Sequence, residues 1–190
     1  MSETTAVPGT PGAQAPDPGT YGIDASHSSV GFTARHLMVS KVRGRFGTFS
    51  GTIVVADPPE QSSVEVTVDT ASIDTGDAKR DEHLRSADFL NVEEYPSMTF
   101  KSTSVKVTGS DRLELVGDLT VLGQTRPVTL QASYEGVATD PWGGTRLGFD
   151  ATGEVDREDW GLTWNVALET GGFLVGKKIQ LDVGVEAVKQ

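Results

Sequence analysis

The stretch IQLDVGVEA, from Ile179 to Ala187, is the clearest indicator of the fold, because apolar side chains occupy every second position. The residues between them are Gln180, Asp182, Gly184 and Glu186. Successive side chains of a β-strand point to opposite faces, so this pattern predicts a strand with one buried and one solvated face. A strand of a parallel sheet is covered on both faces and is apolar throughout. The stretch therefore predicts an antiparallel sheet.

The same alternation recurs earlier in the chain, around Val30–Ala34, Val64–Val68, Val128–Tyr134 and Leu147–Val155. Further strands are predicted at Arg43–Ala56, Ser97–Val107, Leu113–Val121 and Asp159–Glu169. Turn signals separate them, as in Asp57-Pro58-Pro59. About eight to ten antiparallel strands with one apolar face either stack as a sandwich or close as a barrel. An eight-stranded barrel is just wide enough to be filled by side chains or to hold one small ligand.

One segment, Asp77 to Leu90, has helical periodicity instead. Leu84, Ala87 and Leu90 recur at a spacing of three, and Asp74 and Thr75 can cap the start of a helix. The pattern predicts a short amphipathic helix around residues 77–87, placed over an end or a seam of the barrel.

Composition limits the class of protein. The chain of 190 residues suits one domain, and its net charge of −11 makes the surface as a whole unlikely to attract nucleic acid or an anionic membrane. Cysteine is absent, which excludes disulfides and thiolate metal sites. Residues 1–20 are rich in Pro, Gly, Thr and Ala, which predicts a disordered tail ahead of a single domain over 21–190. There is no signal-peptide pattern and no apolar run of the ~18 residues that span a membrane, so we expect a cytoplasmic protein.

No segment carries a convincing catalytic motif. GGFLVGKK, Gly171 to Lys178, resembles a phosphate loop, but it lacks the final Ser or Thr and leads into a strand rather than a helix. Gly47-Thr48-Phe49-Ser50-Gly51 does not have the spacing of a serine-hydrolase elbow. The acidic pairs Glu93/Glu94 and Glu158/Asp159 are adjacent, so on a strand their carboxylates point to opposite faces. The sequence favours a protein that is not an enzyme.

Three histidines, His27, His36 and His83, lack the spacing of paired metal ligands, although a three-histidine zinc site stays open on sequence alone. His36 shares the parity of the apolar residues of its strand, which places it on the buried face. The basic row Lys41, Arg43 and Arg45 has the opposite parity, which places it in solvent.

Several longer motifs together resemble the YceI-like family of bacterial polyisoprenoid-binding proteins. They occur in order over about 170 residues: HSSVGFTARHLMVSKVRGRFGTFSG (27–51), DEHLRSADFLNVEEYPSMTF (81–100), GDLTVLGQTRPVTL (117–130), DREDWGLTWN (156–165) and GGFLVGKKIQLDV (171–183). Two features depart from the usual family pattern. The doubled aromatic after the helix is Phe89-Leu90 here, and the export signal of many members is not visible.

The resemblance implies an extended lipocalin-like antiparallel barrel with an elongated apolar cavity for a polyisoprenoid or other long-chain amphiphile. It implies that the D-x-H-L-[KR]-S stretch forms a helix beside the barrel, leading into an aromatic segment matched by Phe89, Tyr95 and Phe100. It implies neither a cofactor nor a metal. Family members are often dimers, so a homodimer is also open.

Strand parity and the matched motifs together predict the residues that line the cavity: Phe32, Ala34, His36, Val42, Phe46, Phe89, Phe100, Leu119, Phe149, Trp160 and Trp164. The head-group candidates are His36 from inside and His83, Arg85 or Arg157 at a rim. Each has a structural alternative: Arg85 can pair with Asp81 one helical turn away, and Arg157 can form a surface ion pair.

The sequence therefore predicts a non-catalytic protein that sequesters or carries a polyprenyl lipid. Two other functions stay open. An enzyme acting on a small apolar substrate requires a perturbed histidine or carboxylate in the cavity. A filled barrel serving as a stress-related interaction module requires large side chains, such as Trp160, Trp164 and Phe149, to plug the interior.

Overall fold

A computed structural model describes residues 14–190, and it is built almost entirely of β-strands. The strands are β1 (Gly19–Ile23), β2 (Ser29–His36), β3 (Ser40–Phe46), β4 (Phe49–Val55), β5 (Ser63–Asp69), β6 (Ile73–Asp74), β7 (Ser97–Val107), β8 (Arg112–Val121), β9 (Gln124–Thr139), β10 (Thr145–Asp156) and β11 (Val175–Lys189). One α-helix, α1 (Ala78–Arg85), lies between β6 and β7. Short 3₁₀ turns occupy Ala25–His27, Pro59–Gln61, Thr70–Ser72 and Arg157–Trp160.

These strands form one closed antiparallel barrel of eight staves. Each of three staves consists of two consecutive strands placed end to end: β1 with β2, β3 with β4, and β5 with β6. Closure occurs at β11, which pairs with β1 through Ala187–Lys189 and with β2 through Val175–Gly184. The prediction of an all-β antiparallel barrel of about eight strands with one short helix is thereby confirmed.

The two ends of the barrel differ, and we name them by their structure. The hairpin end carries the β4–β5, β7–β8 and β9–β10 turns together with residues 14–18. The loop end carries α1, the segments 86–96 and 157–174, and the β2–β3 turn at residues 37–39. All long irregular connections therefore lie at one end.

The predicted strand at Asp159–Glu169 is wrong. Residues Arg157–Trp160 form a 3₁₀ turn, and the chain from 161 to 174 contains only an isolated bridge between Ala167 and Phe173. The physical reason is Arg157, which is buried and donates hydrogen bonds to backbone carbonyls of this segment instead of leaving them for a neighbouring strand.

The helix lies where it was predicted, but its cap and its buried face differ. Asp77 is the N-cap, since its carboxylate accepts from the Arg80 backbone N–H, whereas the sequence pointed to Asp74 and Thr75. The helix ends at Arg85 because Ser86 is extended. Of the predicted apolar stripe, Ala87 is exposed and Leu90 lies beyond the helix.

Residues 1–13 of the predicted disordered tail lie outside the described residues, and β1 begins at Gly19. Among residues 14–190, no helix is long and apolar enough to cross a membrane.

Candidate functional site

The candidate site is the interior of the barrel, which is lined by the apolar residues of every strand. Strand register aligns them face to face, as in Phe149 opposite Val185 and Phe100 opposite Leu119. Two packed clusters occupy the ends of this interior. The cluster at the hairpin end contains Tyr21, Val55, Leu147 and Ala187. The cluster at the loop end contains Phe46, Phe49, Val68, Ile73, Leu90, Val121, Val128, Leu130 and Trp160.

Between these clusters the inward-facing residues are only half-buried. They include Val66, Phe100, Leu115, Phe149, Ala151, Leu181, Val183 and Val185. In contrast, Tyr21 and Ala187 at the hairpin end have no exposed surface at all. In a closed barrel, an inward side chain keeps accessible surface only where it adjoins space that other side chains do not fill. Most of these residues pack against one of the two clusters and still keep accessible surface, which indicates that the middle of the barrel is less tightly filled than its ends.

Two phenylalanines leave this space open because their rings lie over glycines of the wall. A Cβ atom added at Gly44 would be 2.3 Å from Cζ of Phe32, and one at Gly117 would be 2.4 Å from Cζ of Phe100. Real Cβ atoms do not approach that closely, so each ring occupies the place of the missing side chain. Both rings thus lie flat against the wall instead of crossing the interior.

The wall has a gap at the loop end, between β2 and β11. Val175 pairs with His36 and Ile179 with Ala34, so three β11 residues face a single residue of β2. A β-bulge of this kind interrupts the ladder and bends the strand away. A groove of about 360 Å³ lies here and reaches the inward-facing Ala34; the other lining residues are Thr33, Arg35, Met38, Lys41, Glu154, Gly176, Lys177, Lys178 and Gln180.

An aromatic cluster covers another part of the loop end. The ring of His83 on α1 lies 4.5 Å from that of Trp164 and 5.1 Å from that of Phe89, both edge to face. The Nε2 atom of His83 is 2.8 Å from the Asp88 carboxylate. The helix thereby binds the 86–96 segment and the 157–174 segment to each other.

Arg157 fastens the 157–174 segment to the barrel. Its guanidinium donates to the carbonyl oxygens of Leu162 at 2.6 Å, Trp164 at 3.0 Å and Gly176 at 3.0 Å. The side chain is 4% exposed, and burial lowers the pKa of this guanidinium from its ordinary value. The expectation of a surface ion pair is wrong, because these backbone acceptors satisfy the charge inside the protein.

Helix α1 is held against the preceding segment, residues 71–75, by similar contacts. Arg85 donates to the carbonyl oxygens of Ala71 and Ile73, both at 2.8 Å, and so does not pair with Asp81 as the helical spacing suggested. Asp81 is buried and accepts from the backbone N–H and the hydroxyl of Thr75. Arg85, like Arg157, is committed to backbone carbonyls, whereas His36 stands at the end of β2 beside the gap.

The structure brings most of the predicted cavity residues together, and their role in binding stays a prediction. Six face the interior and are half-buried: Phe32, Ala34, Val42, Phe100, Leu119 and Phe149. Three are buried in the packing at the loop end: Phe46, Phe89 and Trp160. Trp160 donates its indole N–H to the Leu119 carbonyl and belongs to the packed cluster at the loop end. His36 and Trp164 are half-buried at the loop end.

Sequence reasoning missed an ion cluster on the outer wall near the hairpin end. Arg146 donates to carboxylate oxygens of Asp24 at 2.8 Å and Asp140 at 2.9 Å, and also to Glu186. Hydrogen bonds from Ser26, Arg146 and His27 hold the pKa of the Asp24 carboxyl well below its usual range. Asp24 and Arg146 are 122 residues apart, so no local pattern could reveal the cluster.

A metal at this cluster is disfavoured by the same contacts. Asp24, His27 and Glu186 are the one group of described residues whose ligand atoms lie close enough to share an ion. Arg146 already lies between the two carboxylates and neutralises them. His27, His36 and His83 lie on separate elements, so the structure does not bring the three histidines into one group.

Comparisons with known proteins agree with this architecture. The chain is 44% identical over 173 residues to Protein YceI of Escherichia coli O157:H7, covering 90% of this chain and 87% of that protein. It superposes on the crystal structure of a Campylobacter jejuni YCEI protein with a TM-score of 0.71 and 28% identity, covering 82% of this chain and 90% of the other. A polyisoprenoid binding domain from Saccharophagus degradans, implicated in plant cell wall breakdown, has the same fold, with a TM-score of 0.69, 16% identity and coverage of 90% and 98%.

The family match covers nearly all of the described chain. Residues 21–187 match the YceI-like domain, a range that begins within β1, ends within β11 and includes part or all of every strand of the barrel. The chain belongs to the YceI-like domain family.

Proposed function

We propose that this protein binds a polyisoprenoid or a similar long-chain amphiphilic lipid inside the barrel, and sequesters or carries it without chemical change. The observation that carries the proposal is the half-buried apolar middle of the barrel between two packed ends. The polyisoprenoid-binding domain of the same fold supports the ligand class.

The shape of the interior favours a chain over a compact ligand. Half-buried, inward-facing residues occur along the barrel, from Ala34 near the loop end to Phe149 and Val185 beside the hairpin-end cluster. Burial of one five-carbon isoprene unit contributes roughly 3–4 kcal/mol, from about 0.8 kcal/mol per CH₂. A few units therefore offset association costs of about 4–15 kcal/mol. Affinity should accordingly depend on chain length more than on the head group.

The proposal excludes catalysis because the charged groups near the interior serve the fold. Arg157 and Arg85 are bound to backbone carbonyls, and Asp81 holds Thr75. At the hairpin end, burial raises the pKa of the Tyr21 and Tyr134 hydroxyls, which donate to the Asp17 and Gln14 carbonyls. These groups have protein partners in place of a substrate.

The first test is native mass spectrometry of gently purified protein, followed by organic extraction and titration with polyprenyl lipids of increasing length. We expect one long-chain lipid per barrel and an affinity that rises with chain length. Protein that carries no lipid and takes up none of the added series would contradict the proposal and favour a filled barrel.

A pair of variants locates the site. Ala151 faces the half-buried middle and Thr152, its neighbour on β10, faces outwards. The Ala151→Phe variant should fill the interior and lower lipid affinity at least tenfold, whereas Thr152→Phe should leave affinity unchanged. Equal affinities in two folded variants would place the lipid elsewhere. If Ala151→Phe does not fold, Phe100→Ala tests the same space from another strand. This variant should change the length of the lipid that binds most tightly.

A further inference from the structure

We propose that the loop end docks onto an anionic lipid bilayer through an exposed apolar tip, made of Leu37, Met38 and Val39 from the β2–β3 turn and Val166 and Phe173 from the 157–174 segment. The partner is the surface of a membrane, and the contact is peripheral. This inference concerns the outer surface of the barrel and does not require a ligand inside it.

The tip presents a cluster of large apolar side chains to solvent. Val39 is 80% exposed, Met38 58% and Phe173 49%. The two segments adjoin each other, since the Leu37 backbone N–H donates to the Leu174 carbonyl at 2.8 Å. An exposed apolar cluster beside polar residues is typical of a surface that binds a partner or a membrane.

Positive charge lies beside the β2–β3 part of this tip, and Glu169 is the one acidic residue in the stretch from Val166 to Phe173. Arg35, Lys41 and Arg43 are exposed on the outer face of β2 and β3, and none of the three forms an ion pair with any residue in 14–190. The chain from residue 25 to residue 56 contains no acidic residue, although the whole protein has a net charge of −11. Basic residues next to inserted apolar side chains match a bilayer with anionic head groups.

The exposed apolar tip and the unpaired basic residues are both unfavourable for the stability of the fold, which indicates that they serve another purpose. Arg35 and Lys41 are register partners on one face, and like charges directly opposite each other destabilise a sheet. Edge protection explains a cation on β3, but Arg35 lies on β2, which has neighbours on both sides. The fold therefore does not account for this pair.

The backbone of the turn gives a second indication. Leu37 and Met38 have φ values of 52° and 62°, a region where asparagine and glycine are favoured. Leu122 has a similar φ of 52°, but its side chain packs against the loop-end cluster. Leu37 and Met38 belong to neither packed cluster and are 40% and 58% exposed, so much of their apolar surface faces solvent.

A second copy of the chain is a poorer partner than a membrane. A symmetric contact through the tip would bring Arg35, Lys41 and Arg43 of both copies together, and like charges would oppose it. The groove at the β2–β11 gap adjoins the tip through Met38. If the proposed lipid function holds, docking would therefore set the opening of the barrel against the bilayer.

The test is co-sedimentation of the full chain with vesicles of phosphatidylcholine containing 30% phosphatidylglycerol, compared with vesicles of phosphatidylcholine alone. We expect binding to the anionic vesicles that weakens with salt, since each basic residue near an anionic surface strengthens partitioning roughly fivefold. The Arg35→Gln, Lys41→Gln, Arg43→Gln triple variant should bind on the order of 100-fold more weakly.

The decisive variant is Leu37→Asn, Met38→Gly, because it separates binding from folding. It should lower vesicle binding roughly tenfold or more through lost apolar contact while the Tm stays the same or rises. The matched control is Trp142→Ser at the hairpin end, where an 87% exposed aromatic has no basic neighbours in its turn; its vesicle binding should equal that of the wild type.

The proposal would be overturned if the wild-type protein did not co-sediment with anionic vesicles. It would also be overturned if the wild type formed concentration-dependent dimers that disappear in the Leu37→Asn, Met38→Gly variant. Lipid uptake from detergent solution is measured separately. Failure of docking with normal uptake would leave the proposed function intact, and normal docking without uptake would overturn only that function.

Discussion

The two ends of this barrel differ in which residues are buried and which face solvent. At the hairpin end the fully buried residues are apolar or aromatic, namely Tyr21, Leu147 and Ala187, and the charges lie outside in the Arg146 cluster. At the loop end the buried polar residues are Thr70, Asp81 and Arg157, and apolar side chains of the β2–β3 turn face solvent.

This difference shows how a barrel can be rigid at one end and adaptable at the other. Strand pairing and turns close the hairpin end, where the Tyr21 and Tyr134 hydroxyls also donate to the Asp17 and Gln14 carbonyls. At the loop end, long irregular segments must satisfy their own backbone groups, and Asp81, Arg85 and Arg157 provide the partners. Segments held by a few polar anchors can move more easily than paired strands. We therefore expect a ligand to enter at the loop end, where the β2–β11 ladder is interrupted.

The largest expected effect is at the hairpin end. Replacement of Leu147, which is 1% exposed, by alanine should lower the free energy of unfolding by about 3–5 kcal/mol, since a cavity is left in rigid packing. Urea denaturation measures this change. Val107→Ala, at a 40% exposed position of the same end, should cost less than about 0.5 kcal/mol. Similar losses in both variants would show that this end is not tightly packed.

A smaller loss should follow from removing the anchor of the loop end. Arg157→Met leaves buried carbonyls without donors and should cost about 2–3 kcal/mol. Hydrogen exchange should quicken selectively in residues 157–174. The control is Lys177→Met, which breaks the exposed ion pair to Glu158 and should cost below about 1 kcal/mol. Uniform acceleration over the whole barrel would refute an anchor that acts on this segment.

The space between the ends can be narrowed at Gly44. The three atoms nearest to a Cβ there all belong to the Phe32 ring, so Gly44→Ala should push the ring into the interior at a cost of about 1–2 kcal/mol. Lipid affinity should fall, and adding Phe32→Leu should restore it. Gly47→Ala is the control, because its Cβ would meet a single atom at 3.9 Å. Unchanged affinity in Gly44→Ala would argue against a ligand beside this wall.

The smallest effect concerns pH at the hairpin end. The pKa of Asp24 is lowered in the folded state, so its contribution to stability is present above its ordinary pKa of 3.8 and is lost as the pH falls further. Arg146→Met should therefore lower the Tm by a few degrees at pH 7, and the gap to wild type should narrow below about pH 4. Arg112→Met, at an exposed site, should show no such trend. A gap that widens in acid would contradict this assignment.

Prediction from sequence succeeded where the signal is periodic and local. The alternation in Ile179–Ala187 identified β11, and parity alone placed Phe32 and Phe149 inside. Prediction failed where a side chain binds a residue far away in the sequence or binds backbone carbonyls. The sequence predicted a strand at Asp159–Glu169, but Arg157 holds that segment as a loop by donating to its carbonyls.

The sequence by itself determined the antiparallel strands, their apolar face and one short helix, because the two-residue repeat of a strand is written directly in the order of residues. That repeat left a sandwich and a barrel open, and the family motifs favoured the barrel. Tertiary structure alone decided that the middle of the interior stays open, that rings of Phe32 and Phe100 lie over Gly44 and Gly117, and that Arg146 gathers three carboxylates. These features depend on which strands become neighbours and in what register. Register joins residues far apart in the chain; the alternation within one strand fixes which face a side chain takes but does not name its partner on the next strand.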